Sequence, residues 1–517
     1  MPFVRHKKFG EREYAYEVTT YYDKQLKKPR QKVRYLGKVT EQGIQKIRSG
    51  SPPRCAVDYG DVAALVSLAQ DIGLSKVLEN CYGKELADAV LALAINRIVR
   101  GTSLRNFRIW FEGTFLQQLT PMSNPSSQNL SRILEMLGDD ERSLLRFFQQ
   151  WQEVNGVKSA VTYDITSLSS SSQLIELLEY GYNRDGDDLP QVNFGLVTSM
   201  ETQLPLLFKI FPGSINDVST LRNLLIEVQA YGVQQMLFIL DRGFYSTANI
   251  RDLIHGGMGF VIPMPLHLKE AQRIISAGNL RITSPGKAVS FQGQILYVTQ
   301  GELMVGEEKV RYFLYFDEQR RSKEINTFYS RLIEVETRLN GRQIHQWEQP
   351  DEVVEEVADR LTLYFSWRVV HGRLVVRRKI KAISRVVNRM GKTILLYRGD
   401  LDWGAVLSWY RGKDTVEKMF DAMKNDLAAL PLRVQKDVTM KGSLVVTFVA
   451  MVLYFSLLRR MRESDLVKQY SVEGVLLELS KIKKIELLNG SVLTSEVSKK
   501  ARVILQKLCL VDIVPIT

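Results

Sequence analysis

Between Trp409 and Asp426 the chain sets Tyr410, Lys413, Glu417, Asp421 and Lys424 three, four or seven residues apart. On a helix these fall on one stripe, with Val416, Met419, Phe420, Met423 and Leu427 on the neighbouring apolar face. Glu417 and Asp421 are like charges one turn apart, an arrangement that costs an isolated helix about a few tenths of a kcal/mol. A helix showing carboxylate to a metal ion and ammonium to phosphate has this make-up. A solvated, salt-bridged helix face is the plainer reading of the stripe taken alone.

Two acids elsewhere change the balance. Asp164 stands inside Ala160–Thr166, a β-branched run that reads as a strand, and Asp is depleted in strands. Asp241 ends the apolar strand Met236–Leu240 and is followed by Arg242. If Asp164, Asp241 and Glu417 meet, they cannot all ionise without cations. Two divalent ions about 3.5 to 4 Å apart would remove that conflict and clamp the attacking and leaving oxygens of a phosphodiester. Carboxylate and water ligands suit Mg²⁺, with Mn²⁺ able to substitute. Neighbouring Lys and Arg side chains would hold phosphates.

The elements that must position these acids read as an α/β fold. Strand 160–166, a hairpin (Val192–Ser199 and Leu204–Phe211), a helix from Thr220, strand 236–241, helix Thr247–Gly256 and strand Gly259–Met264 make a mixed sheet flanked by helices. Its sites belong at the carboxyl ends of parallel strands. Asp217 reads as a helix N-cap, with a further acid near the metals as the sharper alternative. Six segments follow: 1–50, small, basic and β-type; 54–152, helical; 158–264, the first part of the sheet domain; 265–390, a β-rich insertion with one long helix (Ser322–Leu339); 391–462, the second part; and 463–517, a helix-hairpin-helix tail turning on Asn489-Gly490. Within the first segment a polar turn, Asp23–Pro29, separates two strands, and Ser51-Pro52-Pro53 makes a linker. Arg97, Arg100, Arg105, Arg108 and Arg132 recur along the short helices of the second, which read equally as a DNA-binding module and as a solvated bundle.

Seventy Lys and Arg against 57 Asp and Glu give a formal charge of +13, which points to a polyanionic partner. Three cysteines without ligand spacing imply neither a disulfide framework nor structural zinc. The apolar run Leu444–Leu458 is shorter than the roughly 18 to 20 residues a membrane span needs and reads as a buried core helix. No membrane partner and no small-molecule substrate are expected, and the expected compartment is the cytoplasm.

These residues resemble the DDE transposases of bacterial insertion sequences, in the branch with a Tyr-x2-Arg-x3-Glu-x6-Lys signature and a β-rich insertion before the glutamate. Tyr410, Lys413, Glu417 and Lys424 stand at that spacing, with Lys413 in place of the arginine. Tyr-Asp-Ile-Thr around Asp164, Asp-Arg-Gly around Asp241 and Phe211-Pro212-Gly213 are similar too. The resemblance implies a ribonuclease H-like mixed sheet flanked by helices, interrupted by the insertion, with a helical N-terminal DNA-binding region. It implies a nick at each transposon end and attack of the freed 3′-OH on target DNA. Asp164, Asp241 and Glu417 would hold two Mg²⁺, with Asp421 in reserve. Tyr410, Arg411, Lys413, Lys424 and Arg242 would position DNA phosphates, and Trp347 or Trp367 would receive an unstacked base, although core packing is the plainer reading of both tryptophans. Double-stranded DNA (terminal inverted repeats and target) and a second copy of the chain are the implied partners, and the bacterial nucleoid the implied place. Two alternatives stay open: a metal-dependent structure-specific nuclease, and a transposase-derived protein that binds DNA without cutting it.

Overall fold

The computed structural model describes the chain apart from residues 1, 10–11, 24–27, 41–42, 46–51, 156–159, 182–185, 187, 216, 231–235, 280–281, 428–431, 433 and 514–517. Most of the turn expected between 23 and 29, Ser51, and the side chain of Asp217 lie outside the described residues.

At the N-terminus β1 (Phe3–Phe9), β2 (Arg12–Asp23), β3 (Lys28–Thr40) and β4 (Gly43–Gln45) form an antiparallel meander in that order. A short strand, β5 (Pro53–Asp58), then leads into the helical region. Nine described strands make one large mixed sheet: β6 (Ala160–Ser169), β7 (Gln191–Ser199), β8 (Pro205–Pro212), β9 (Leu237–Leu240), β10 (Gly259–Pro263), β11 (Ala288–Phe291), β12 (Gln294–Val305), β13 (Glu308–Phe316) and β16 (Lys392–Arg398), with β14 (Phe365–Val370) and β15 (Arg373–Arg378) pairing apart from it. Across the sheet the order is β11-β12-β13-β16-β10-β9-β6-β7-β8. Its middle, β10-β9-β6, is parallel.

Alternation explains why these central strands are apolar on both faces. Phe238, Leu240, Phe260 and Ile262 enter the main core. Ile239 and Val261 face the other way, against Leu395, Val406 and Leu407 of β16 and the helix Trp403–Gly412.

The stretch read as one insertion from 265 to 390 divides in two. β11 to β13 extend the sheet itself, because β13 pairs with β16 from Arg311↔Tyr397 to Phe316↔Lys392. Only the remainder has a core of its own, with Leu332, Val354, Phe365 and Leu374 at its centre.

The helix Asp437–Glu463 is the spine of the main core. It runs 27 residues, well past the apolar stretch 444–458, because its flanks are polar yet helix-compatible. By length and hydropathy it alone among the described helices could cross a membrane, but 83% of its most apolar window is buried inside the protein. The helices Lys84–Val99 and Ser127–Asp139 lie against it. The second approaches so closely that a Cβ on Gly442 would stand 1.9 Å from the Leu134 carbonyl oxygen, and one on Gly138 would stand 1.8 Å from that of Val438. Arg97, grouped above with surface arginines, turns into this seam. It donates to Ser443 Oγ at 2.7 Å, and burial lowers its pKa to about 10. The tail closes on the front of the chain: β17 (Lys483–Leu487) pairs with both β18 (Val492–Thr494) and β5.

Candidate active site

β6 and β9 run parallel in the register Tyr163↔Leu240. The next residues along are Asp164 and Asp241, so neighbouring strands deliver two carboxylates side by side where β9 ends. Asp164 is held within its strand, its Oδ1 accepting the Ile165 N–H at 2.8 Å. Thr162 and Asp164 share a face, and Thr198 of β7 lies opposite Thr162. The helix Asp414–Asn425 seats Val416, Met419, Phe420 and Met423 in the main core, and Thr198 donates to Met419 Sδ at 3.5 Å.

That helix carries Glu417 in its first turn. The expected single helix through Trp409–Asp426 is two, Trp403–Gly412 and Asp414–Asn425, meeting at Lys413. Gly412 sits where a Cβ would come within 2.8 Å of Met200 Cε. The junction leaves Lys413 at a corner, largely buried at 15% side-chain exposure. Its ammonium reaches Asp241 Oδ1 at 2.9 Å and Glu417 Oε1 at 3.7 Å. The Tyr410 ring lies beneath it, 5.6 Å from Nζ to centroid.

Electrostatics follow from that corner. Burial alone would raise the Asp241 pKa, but hydrogen bonding and charge from Lys413, with help from Arg242, hold it below the usual carboxylate value. Burial would lower the Lys413 pKa, and the Asp241 contact more than offsets it, so the ammonium is held charged. Burial raises the Tyr410 phenol pKa despite Lys413 nearby.

Asp164, Asp241 and Glu417 open onto one cavity of about 300 Å³, whose lining also includes Asp421, Lys424, Phe244 and Phe420. Phe420 reads in the sequence only as part of the apolar helix face and Phe244 as an ordinary core residue; both also line the cavity. Arg411 is turned elsewhere, its guanidinium over the Phe291 ring at 5.1 Å. Of the two tryptophans, Trp347 is 81% exposed with its ring stacked on His345, 4.7 Å between centroids. Trp367 packs at the edge of the smaller core and donates Nε1–H to Asp351 at 2.7 Å. Neither lines the cavity.

As a metal site the donor set is all carboxylate oxygen, which suits a hard divalent cation. Among the described residues no three carboxylate, imidazole or thiolate side chains close around one point as they stand. Two of the three acids share the Lys413 ammonium instead, so the chemistry of the donors fits Mg²⁺ while a built-in cation holds their charge.

No curated protein matches the chain. Among solved structures it is distantly similar to the piggyBac transposase in a synaptic complex with hairpin DNA, at 10% identity and a TM-score of 0.35, over 76% of this chain and 70% of that one. The model of the family described as "Transposase DDE domain" matches residues 157–453, which take in all three acids and the sheet that carries them. The chain belongs to the DDE-domain transposase family.

Proposed function

We propose that this chain is an active DNA transposase of a bacterial insertion sequence, with a ribonuclease H-like catalytic domain in the Tyr-x2-Arg-x3-Glu-x6-Lys branch. The observation that carries the reading is the opening of Asp164, Asp241 and Glu417 onto one cavity, within a chain of this family. The substrate is double-stranded DNA at the terminal inverted repeats, and the products are a nicked end and a joined target. Asp164, Asp241 and Glu417 hold the divalent cations, two Mg²⁺ or Mn²⁺ in their place. When bound, these supply Lewis-acid stabilisation to phosphodiester oxygens.

The chain's own cations do the positioning. Lys424, at the cavity wall, and Lys413 and Arg242, beside Asp241, draw the phosphate backbone towards the acids. Tyr410 supports Lys413 from below. Exposed Trp347 is better placed than Trp367 to take an unstacked base, since Trp367 packs its ring against the smaller core. The helices of 54–152 supply further duplex contacts, and two copies of the chain pair the two ends, in the bacterial cytoplasm on the nucleoid.

The test is strand cleavage and joining on terminal-repeat DNA with Mg²⁺. Asp164→Asn should keep the gel shift and lose cleavage; metal-dependent cutting that survives this change defeats the assignment. Cleavage without joining would mark a structure-specific nuclease, and binding without cleavage a silent relative.

A further inference from the structure

The first 50 residues hold 13 Lys and Arg against 5 Asp and Glu, so a tenth of the chain supplies most of its net charge of +13. The described residues among them build the β1–β4 meander, and its two faces differ. Residues opposite one another across a sheet point to the same side. The registers Lys7↔Tyr14, Arg5↔Tyr16, Tyr14↔Lys38 and Tyr16↔Tyr35 therefore put three cations and three tyrosines on one face. Side-chain contacts agree: Tyr35 lies 5.4 Å from Tyr16 and 6.2 Å from Tyr14, and the Lys7 ammonium lies 6.0 Å from the Tyr16 ring. No described residue of this face is acidic. The acids Glu13 and Glu17 are on the other side, paired with His6 at 3.2 Å and Arg34 at 3.1 Å.

A plain solubilising sheet would mix its charges and hide its rings. Here the rings stay at the surface, Tyr35 at 40% exposure and Phe3 at 47%, set among unopposed cations. Rings interleaved with cations are the surface on which an open strand stacks its bases and neutralises its phosphates. Width argues against a duplex. Four strands about 4.8 Å apart span about 14 Å, more than the roughly 12 Å of a major groove, and paired bases cannot reach rings at the centre of a sheet.

We propose that this face of the N-terminal sheet binds single-stranded DNA, with bases on Tyr14, Tyr16 and Tyr35 and phosphates on Arg5, Lys7 and Lys38. The proposal shares only its DNA partner with the function above. Its test needs neither metal nor cleavage, so either can fail without the other.

The test uses the full chain in EDTA and fluorescence anisotropy with oligo-dT of about 16 nucleotides, the upper site size of a comparable module, beside a duplex of equal length. Arg5→Ala/Lys7→Ala/Lys38→Ala should weaken oligo-dT binding about tenfold and flatten the log–log salt slope by about 2, three cations at about 0.7 each. Lys8→Ala/Lys28→Ala/Lys32→Ala removes the same charge from the other face and should do markedly less. Tyr16→Leu/Tyr35→Leu should weaken oligo-dT by about tenfold or more through lost stacking. Equal losses from the two lysine-arginine triples, or losses confined to duplex, would overturn the proposal. Photocrosslinking of 5-iodouracil DNA to the unmodified chain gives a check free of folding effects. Adducts on Tyr14, Tyr16 or Tyr35 support the assignment, and their absence from all three refutes it.

Discussion

Lys413 ties together two acids of the cavity. Its spacing from Glu417 was legible in the sequence, and so was the oddity of an aspartate within a strand. What could not be read is that one ammonium would reach both Asp241 and Glu417, because that depends on a corner between two helices. Replacing it (Lys413→Met) should leave the half-exposed Asp241 and Glu417 with no cation between them. Because the folded Asp241 pKa is depressed, its contribution to stability is present above the unfolded value and disappears as pH falls through the folded one. The variant should therefore melt lower than the parent at pH 7, by about 1 kcal/mol for a partly exposed pair. The gap should close as pH drops below the ordinary value of 3.8. Added Mg²⁺ should raise the melting temperature of the variant more than that of the parent, since no lysine then competes for the acids. Equal Mg²⁺ responses would show that Lys413 does not occupy the cation's place.

Elements depend on contacts that hydrophobic patterning does not report. The helix Ser127–Asp139 has an ordinary buried apolar face, yet it meets the helix Asp437–Glu463 at two glycines, each lying against the other helix's backbone. Gly442→Ala would have to push the helices apart. A loss of about 3 kcal/mol, at the upper end for overpacking, should appear as a lower melting temperature. Full retention would mean the two helices can part cheaply. Asp61 is a second case. It is 2% exposed at the start of the helix Gly60–Asp71, accepts the Val62 N–H at 2.9 Å, and burial raises its pKa to about 6. The unfolded chain loses this proton first, so stability falls as pH rises from about 4 to about 6 and stays reduced above that. Asp61→Asn, which keeps an acceptor, should stabilise the protein at pH 7 by about 2 kcal/mol and change little at pH 4. A benefit independent of pH would contradict the burial argument.

For the whole molecule, the tail is part of the helical region. β17 pairs with β5, Lys483 bonds Asp58, and Gly60 lies against the Leu479 carbonyl, where a Cβ would be 2.3 Å away. Cutting the chain after Glu463 should therefore expose the helices that follow residue 59 to limited proteolysis, well away from the cut. Protection equal to that of the intact chain would show the tail to be dispensable. Long-range charge acts at this scale as well. DNA affinity should fall steeply with salt, as expected when many phosphates are neutralised, and a flat dependence would remove nucleic acid from the proposed function.

By itself the sequence determined the local terms: which runs are strands or helices, which acids are out of place in their elements, and the excess of positive charge. Those depend on neighbours a few residues away, so they can be read along the chain. The tertiary structure alone decided which distant residues meet. Strand register set Asp164 beside Asp241, and backbone packing at Gly138 and Gly442 locked the helical region to the core. Part of the stretch read as an insertion became the edge of the main sheet, because β13 found its partner in β16. Such pairings are made by segments far apart in sequence, each able to satisfy its own pattern in several ways, and only the folded whole selects among them.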